Sequence, residues 1–493
     1  MKRLLQKELA IASICVAVFV GFIVASVARP SVWHDEGYTA VLLENNYAGI
    51  VERTALDVHP PLYYVALKTW SYIFGDSVTA LRLYSAACML GAILVTWLIV
   101  RRLYGRKAGL YALALMSIGP FLVRYGQEMR MYGQAALLAS IATYLYVETL
   151  EKKKLSGKLS FGYGAIIAAG MLTQYFFVLV PLAHVAHALL QQKGSFKKRV
   201  IGLQKYVISI VVAAALFVPW LPKVIDQYTD VYGAFWIGPV GVETLTSTPL
   251  AMTAFKKQFQ MTGVEGLLAV MILVLLAVVY KKFYTSHTDT RSRLLLLCVT
   301  LPPIAMFLLS VPPFQPSYQD RYMSFMGPLF YSLIGLGILA FSKAKIRISL
   351  LTFFVLVLGY GQWNNYWNGN NHGWSPNPTF TMNEIIDQIN SDAPVYSTSL
   401  WTYLDARTTL RDRGFKQTGQ LLFKESPTKF KGNFSVLYER PELYTTTIPL
   451  GVKEFWLIDE SGESKYGGTA LQGYVPGISY ESGYARITKY IKP

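Results

Sequence analysis

Long apolar runs, basic loops alternating between them and a polar C-terminal stretch predict a helical membrane protein with a soluble α/β tail. The chain of 493 residues is 53% hydrophobic and only 15% charged, where soluble domains carry about 25% charged residues. Its net charge of +17 would suggest nucleic acid in a soluble protein. Here the lysines and arginines sit between apolar runs, which is the positive-inside signature and speaks against a nucleic-acid partner. The three cysteines, Cys15, Cys88 and Cys298, lie inside apolar runs, so no disulfide framework is expected.

The first run, residues 9–27, follows "MKRLLQKE" and is long for a signal-peptide core, so it reads as a retained helix. Further runs lie near 79–100, 108–123, 131–149, 161–174, 176–192, 203–221, 264–280, 293–311, 323–342 and 347–362. They make about eleven transmembrane helices. One helix over 161–192 would be about 48 Å long, well beyond the ~30 Å hydrocarbon core, so a break near "LTQYFF" is expected. With the N-terminus inside, the loops 101–107, 151–158, 193–199, 281–293 and 342–347 all fall inside, and all are basic. The loop 28–78, the turn 124–130, the loop 222–262 and everything after about 363 then face the non-cytoplasmic side.

These boundaries divide the chain into a membrane module, 1–362, and a non-cytoplasmic α/β domain, 363–493. In the tail, "TMNEIIDQINSD" reads as an amphipathic helix starting near Thr381 or Asn383. "APVYSTS" and "KEFWLIDE" read as strands. No internal repeat or low-complexity segment is visible.

The loop 28–78 is chemically the richest. Its "WHDEGY" puts His34, Asp35 and Glu36 where the first helix leaves the bilayer. Asp57 and His59 follow, stiffened by Pro60 and Pro61. The stretch "LYYVALKTWSYIF", which contains Tyr63, has the pattern of a helix lying in the membrane interface. Solvated anchors explain a single acid at such an edge; four titratable groups on one loop point to a site. Asp57 and His59, with Glu36 or His34, have the oxygen and imidazole chemistry to hold a divalent metal ion. No closed zinc pattern occurs, so no structural metal is expected.

The turn "RYGQEMRMYGQ" places Arg124, Glu128 and Arg130 outside, where arginine should be scarce. Snorkelling helix ends are one reading. The other is that these residues offset the acids or hold an anionic substrate. In "PPFQPSYQDRYMSFMGPL", Arg321 follows Asp320 at the outer start of a helix, with Tyr322 at the interface. An arginine there can reach a lipid phosphate with a planar fork of donors, with the Tyr322 beside it as a second phosphate-binding candidate.

"WHDEGYTA", "DVHPPLYY" and "QDRYMSFMGPL", in that order, resemble the integral-membrane glycosyltransferases of the GT-C superfamily. The nearest branch contains the protein O-mannosyltransferases and the lipid A aminoarabinose transferases. The resemblance covers about residues 1–362. It implies a polyprenyl-phosphate-linked sugar donor, Asp35 as the catalytic carboxylate and Glu36 as its neighbour. It also implies that His59 and Arg321 lie at the donor phosphate. The aminoarabinose transferases have lysine at the position of His59, where this chain carries an imidazole instead of a fixed charge.

The chemistry agrees with this assignment. Attack on a sugar C1 needs a base for the acceptor hydroxyl, and a phosphate leaving group needs cations rather than an acid. One carboxylate with His59 and Arg321 is sufficient and inverts the anomeric centre. Retention would require Glu36 as nucleophile. Adjacent helical residues point about 100° apart, so Asp35 and Glu36 should not share a role. The acceptor stays open among a glycan, a glycolipid and a protein hydroxyl. The competing function, a transporter or flippase, predicts repeated halves and polar groups at mid-membrane depth, and neither is visible.

Overall fold

The computed structural model describes residues 2–191, 195–231, 237–241, 243–254, 263–279, 281, 292–368, 381–423, 427–461 and 471–493. Most of the expected inside loop 281–293, part of 193–199 and much of the outer loop 222–262 lie outside the described residues. Contact clustering divides the chain into two compact units, Met1–Ala25 with Ser85–Asn365, and Ser26–Tyr84 with Tyr366–Pro493.

Every expected apolar run is largely helical among the described residues. Among the described residues, five helices of the chain are long and apolar enough to cross a bilayer: Leu5–Ser26, Val78–Tyr104, Gly202–Asp230, Asp320–Ala340 and Ala344–Tyr366. The pair Arg106–Ser117 and Pro120–Gly126, bent by 60°, makes a sixth if counted as one span. The bend has a local cause. Pro120 opens the second helix, where a missing N–H is harmless but continuation from the preceding turn is blocked. The remaining runs form shorter helices, among them Tyr132–Thr149, Gly157–Met171, Leu179–Gln191 and Ser292–Leu308. The expected break falls at residues 172–174, between Gly157–Met171 and a 3₁₀ turn at Tyr175–Val178.

Small residues let these helices approach closely. A Cβ on Gly164 would lie 2.4 Å from the Ser209 carbonyl oxygen, so the helices Gly157–Met171 and Val207–Phe217 touch backbone to backbone there. Such contacts suit a bilayer, where lipid tails are as apolar as leucine and close packing must supply the attraction. All three cysteines are buried and free.

The second unit contains a six-stranded sheet in the order β3-β2-β1-β4-β6-β5. The strands are β1 Val395–Ser397, β2 Gln420–Leu422, β3 Tyr444–Thr445, β4 Glu454–Glu460, β5 Val475–Ser482 and β6 Ala485–Ile491. The first four run parallel, while β6 and β5 are antiparallel. The two faces of β4 show why these residues form a central strand. Trp456 and Ile458 pack with Met382, Ile385, Ile386 and Leu410, while Phe455 and Leu457 pack with Tyr396 and Leu422. Alternate side chains point to opposite faces, and both faces are buried. The helix Leu400–Asp412, capped by Ser399 through the Thr402 N–H, connects β1 to β2. The helix expected at "TMNEIIDQINSD" forms over Thr381–Ile386.

The segment Ser26–Tyr84 supplies three helices to this unit: His34–Leu42, Tyr47–Leu56 and Leu62–Phe74. Asn46 caps the second by accepting from the Gly49 N–H at 2.8 Å. The first packs on Leu400–Asp412 so tightly that a Cβ on Gly37 would sit 2.8 Å from the Leu404 carbonyl carbon. Tyr38 bonds Ser435 at 3.1 Å, and Glu44 meets Arg407, Arg411 and Arg440 at 3.0, 3.2 and 2.8 Å. Burial disfavours the Glu44 carboxylate, but Arg407 and Arg440 outweigh it and hold its pKa below the ordinary value.

Candidate active site

The helix His34–Leu42 begins after Trp33, which is extended, so His34, Asp35 and Glu36 occupy its first turn. Carboxylates there meet the positive end of the helix dipole. The two acids part company at once. Asp35 is half-buried, while Glu36 is 1% exposed. Arg82 grips Glu36 with two parallel bonds, Nε to Oε1 at 2.9 Å and Nη2 to Oε2 at 2.6 Å. The same guanidinium donates to the carbonyls of Val27, Pro30 and Ser31. One arginine therefore clasps both the segment leaving the first helix and the start of the next. A pair so deeply buried persists only because nearly every donor is satisfied.

His34 turns toward the tail. Its Nδ1 lies 3.2 Å from Oδ2 of the fully buried Asp405. Burial disfavours its imidazolium, but Asp405, helped by Asp35 and Glu460, raises the His34 pKa above the ordinary value. Asp57 is buried, and its Oδ2 lies 2.9 Å from Nδ1 of His59. An ionised carboxylate only accepts, so His59 donates from Nδ1 and turns Nε2 away. Tyr63 is fully buried against the rings of Tyr64 and Tyr84, a packing position rather than an open one.

Among the described residues no group of three or more His, Cys, Asp or Glu has the arrangement to hold a metal ion. Asp57 and His59 do meet. The other ligands considered, Glu36 and His34, are held by Arg82 and Asp405 instead. The residues present do not assemble a metal site, and no step is derived through one.

In the first unit the other candidates come together. Arg124 and Glu128, both buried, pair at 3.0 Å across one helical turn. Arg130, 2% exposed, follows them. The helix Pro120–Gly126 packs against the segment Asp320–Met326, which brings Arg321 near the turn 124–130. Asp320 accepts from Thr248 at 2.5 Å, and Thr248 bonds Tyr318 at 2.6 Å. The Arg321 guanidinium lies 5.7 Å from the Tyr322 ring, which stacks on Phe176 at 5.4 Å. Gln174 donates to the Tyr322 carbonyl at 3.0 Å. The break at 172–174 thus places Gln174 and Phe176 against the segment that carries Arg321.

Several chemically notable residues escape the sequence reading. Arg82 carried a readable signal, a lone arginine in an apolar helix. Asp405, Trp401, Glu44 and the tail arginines carried none, because their partners are hundreds of residues away. A second polar knot lies among the shorter helices of the first unit. His184 and His187 each bond a tyrosine, Tyr163 and Tyr146, at 2.8 Å, and Thr143 meets His184 at 3.2 Å. His184 and the two tyrosines border a cavity of about 330 Å³ that touches none of the candidate catalytic residues.

Residues 58–222 match the family model described as dolichyl-phosphate-mannose-protein mannosyltransferase. No curated protein matches the chain in sequence. The crystal structure of ArnT from Cupriavidus metallidurans in the apo state is similar at 12% identity, covering 99% of this chain and 98% of that one, with a TM-score of 0.62. The same protein bound to undecaprenyl phosphate is similar at 13% identity over 98% and 97% of the two chains, with a TM-score of 0.58. The Archaeoglobus fulgidus oligosaccharyltransferase in the apo form is similar at 13% identity over 92% of this chain and 69% of that one, with a TM-score of 0.54. The chain is a multi-pass membrane protein whose helical fold resembles that of the GT-C glycosyltransferases.

Proposed function

We propose that this protein is a glycosyltransferase that moves a sugar from a polyprenyl-phosphate donor to an acceptor hydroxyl on the non-cytoplasmic face. One observation carries the reading furthest. The Asp35–Glu36 pair is split, with Glu36 closed onto Arg82 and Asp35 half-buried beside it. A single carboxylate supports direct displacement with inversion, because retention needs a second, correctly placed one. The likeness to ArnT bound to undecaprenyl phosphate supports the donor class.

In the reaction, Asp35 takes the proton of the acceptor hydroxyl as its oxygen attacks C1 of the donor sugar. The C1–oxygen bond to phosphate breaks, and both bonding electrons leave with the polyprenyl phosphate. Arg321 and His59 offset that negative charge, with Asp57 holding the His59 ring. Tyr322, stacked on Phe176, steadies the turn that carries Arg321. Arg124, Glu128 and Arg130 act as substrate-side groups of the neighbouring turn. Glu36 acts as the anchor of the catalytic loop rather than as a reacting group.

The membrane topology belongs to the same proposal: eleven spans, with the N-terminus inside. Residues 1–362 form the membrane module, and the tail from 363 lies outside the cytoplasm as an α/β domain. The basic character of the five inside loops supports this orientation. The deciding experiment incubates purified protein with radiolabelled polyprenyl-phosphate sugars and envelope acceptors. Transfer by the wild type and none by Asp35→Asn is the expected result. Equal transfer by both removes Asp35 from the role of base.

A further inference from the structure

We propose that the tail builds an acceptor-sugar subsite beside Asp35, with Trp401 as its platform, His34 as its polar contact and Asp405 positioning His34. The inference rests on the glycosyltransferase reading above and narrows its acceptor to a carbohydrate.

The parts come from both chain segments of the second unit. Trp401 lies in the first turn of Leu400–Asp412 and is 39% exposed. Its ring centroid is 5.0 Å from that of His34, with the planes tilted by 45°. Tyr484 also meets His34, the two rings nearly perpendicular with their centroids 5.5 Å apart. Its hydroxyl donates to Asp405 Oδ2 at 2.5 Å, the oxygen that also receives His34 Nδ1. Trp401 and His34 are the open parts of this cluster, and the carboxylate is its closed floor.

The hydrogen-bond pattern sets what the open parts offer. A carboxylate accepts, so His34 carries a proton on Nδ1 and leaves Nε2 for a sugar hydroxyl, as an acceptor in the neutral ring and as a donor in the imidazolium that Asp405 favours. His34 is 32% exposed at the side chain, and the next residue in the chain is the proposed base. A sugar ring has an apolar C–H face and a rim of hydroxyls. An indole beside an imidazole matches the two in one step. A seryl or threonyl hydroxyl presents no such face.

A lone exposed tryptophan needs no explanation. This one packs against a histidine fixed by a buried carboxylate, and Asp405 Oδ1 has no hydrogen-bond partner among the described residues. A carboxylate kept buried with one oxygen unmet is a costly way merely to attach a tail. The arrangement makes sense if the orientation of His34 is what the buried charge supplies. Asp405 touches no substrate and is a positioning residue; the acceptor proton still goes to Asp35.

The experiment uses the full chain in nanodiscs. Saturation-transfer NMR reads binding of methyl mannoside, methyl glucoside, methyl galactoside and N-acetylglucosamine, with a Ser/Thr-rich peptide as comparison. The expected result is binding of at least one sugar and not the peptide, weakened about tenfold in Trp401→Ala. In parallel, ¹⁵N spectra of the histidine rings, with His34→Ala as the assignment control, read the His34 tautomer. The expected form is Nδ1–H in the wild type, shifting toward Nε2–H in Asp405→Asn. Sugar binding by Asp405→Asn should fall to the level of His34→Ala, and the double variant should be no worse.

Binding of the peptide alone, of no probe, or of sugars equally by Trp401→Ala overturns the subsite. An unchanged tautomer in Asp405→Asn overturns the positioning role. Sugar binding through Trp401 without any transfer would overturn the enzyme reading and leave the subsite standing. Transfer that is indifferent to Trp401 does the reverse.

Discussion

At the scale of single residues, two adjacent carboxylates have been given opposite surroundings. Asp35→Asn keeps the shape but cannot accept a proton, so the transfer rate should fall about 10²–10⁴-fold. Its melting temperature should stay near that of the wild type. Glu36→Gln should do the reverse damage. It leaves the Arg82 guanidinium buried without its counter-charge, and breaking such a pair costs about 3–5 kcal/mol. Chemical denaturation of both variants, alongside turnover, separates the two roles. A Glu36→Gln protein as stable as the wild type would mean that Arg82 is satisfied by its three carbonyls alone. For Arg321, donor affinity is the informative measurement. Arg321→Ala should weaken polyprenyl-phosphate binding by about 1.5–3 kcal/mol, and Arg321→Lys should recover only part of it. Unchanged affinity with a lowered melting temperature would make Arg321 a packing residue of its turn.

At the scale of elements, the contact between helices His34–Leu42 and Leu400–Asp412 holds the proposed catalytic loop to the tail. Gly37→Ala puts a methyl group 2.8 Å from backbone, which no side-chain rotation relieves. Overpacking of this kind costs about 1–3 kcal/mol. Lowered stability together with lost transfer is expected, whereas a neutral Gly37→Ala would show that the helices can separate at no cost. The Glu44 clasp on the same elements should make stability depend on pH. Its pKa is held below the ordinary 4.5, so its contribution is complete above that value and drains away as pH falls through the lowered one. The melting temperatures of wild type and Glu44→Gln should therefore draw together as pH falls below the ordinary 4.5 and through the lowered pKa. A gap that stays constant through acid unfolding would argue that the three arginines do not depend on the Glu44 charge.

At the scale of the whole molecule, the proposed topology is open to chemical labelling. The three native cysteines are all buried, so they give a low background. Leu450 is fully exposed on the tail, and Leu450→Cys should react with a membrane-impermeant thiol reagent on intact cells once any outer barrier is opened. Ser397, a natural first choice on the strand β1, is unsuitable because it is 2% exposed. Labelling of Leu450→Cys only after lysis would mean that the number of spans is even, and Asp35 would need a new role.

What the sequence by itself determined rests on local and one-dimensional signals. Hydropathy marked every apolar run that became a helix, because a bilayer demands internally bonded backbone over a fixed length. Length and loop charge called for a break near "LTQYFF", which falls at 172–174, and the strand character of "KEFWLIDE" was legible in its β-branched and aromatic content. The crowding of acids and histidines at His34, Asp35, Asp57 and His59 was visible without any fold. What only the tertiary structure decided is which of these groups are closed off and by whom. Glu36 meets Arg82 across 46 residues, and His34 meets Asp405 across 371. No propensity or periodicity carries information over such separations. Partner choice is fixed where buried charges must be neutralised and backbones pack to contact. Those demands arise only once the chain has folded.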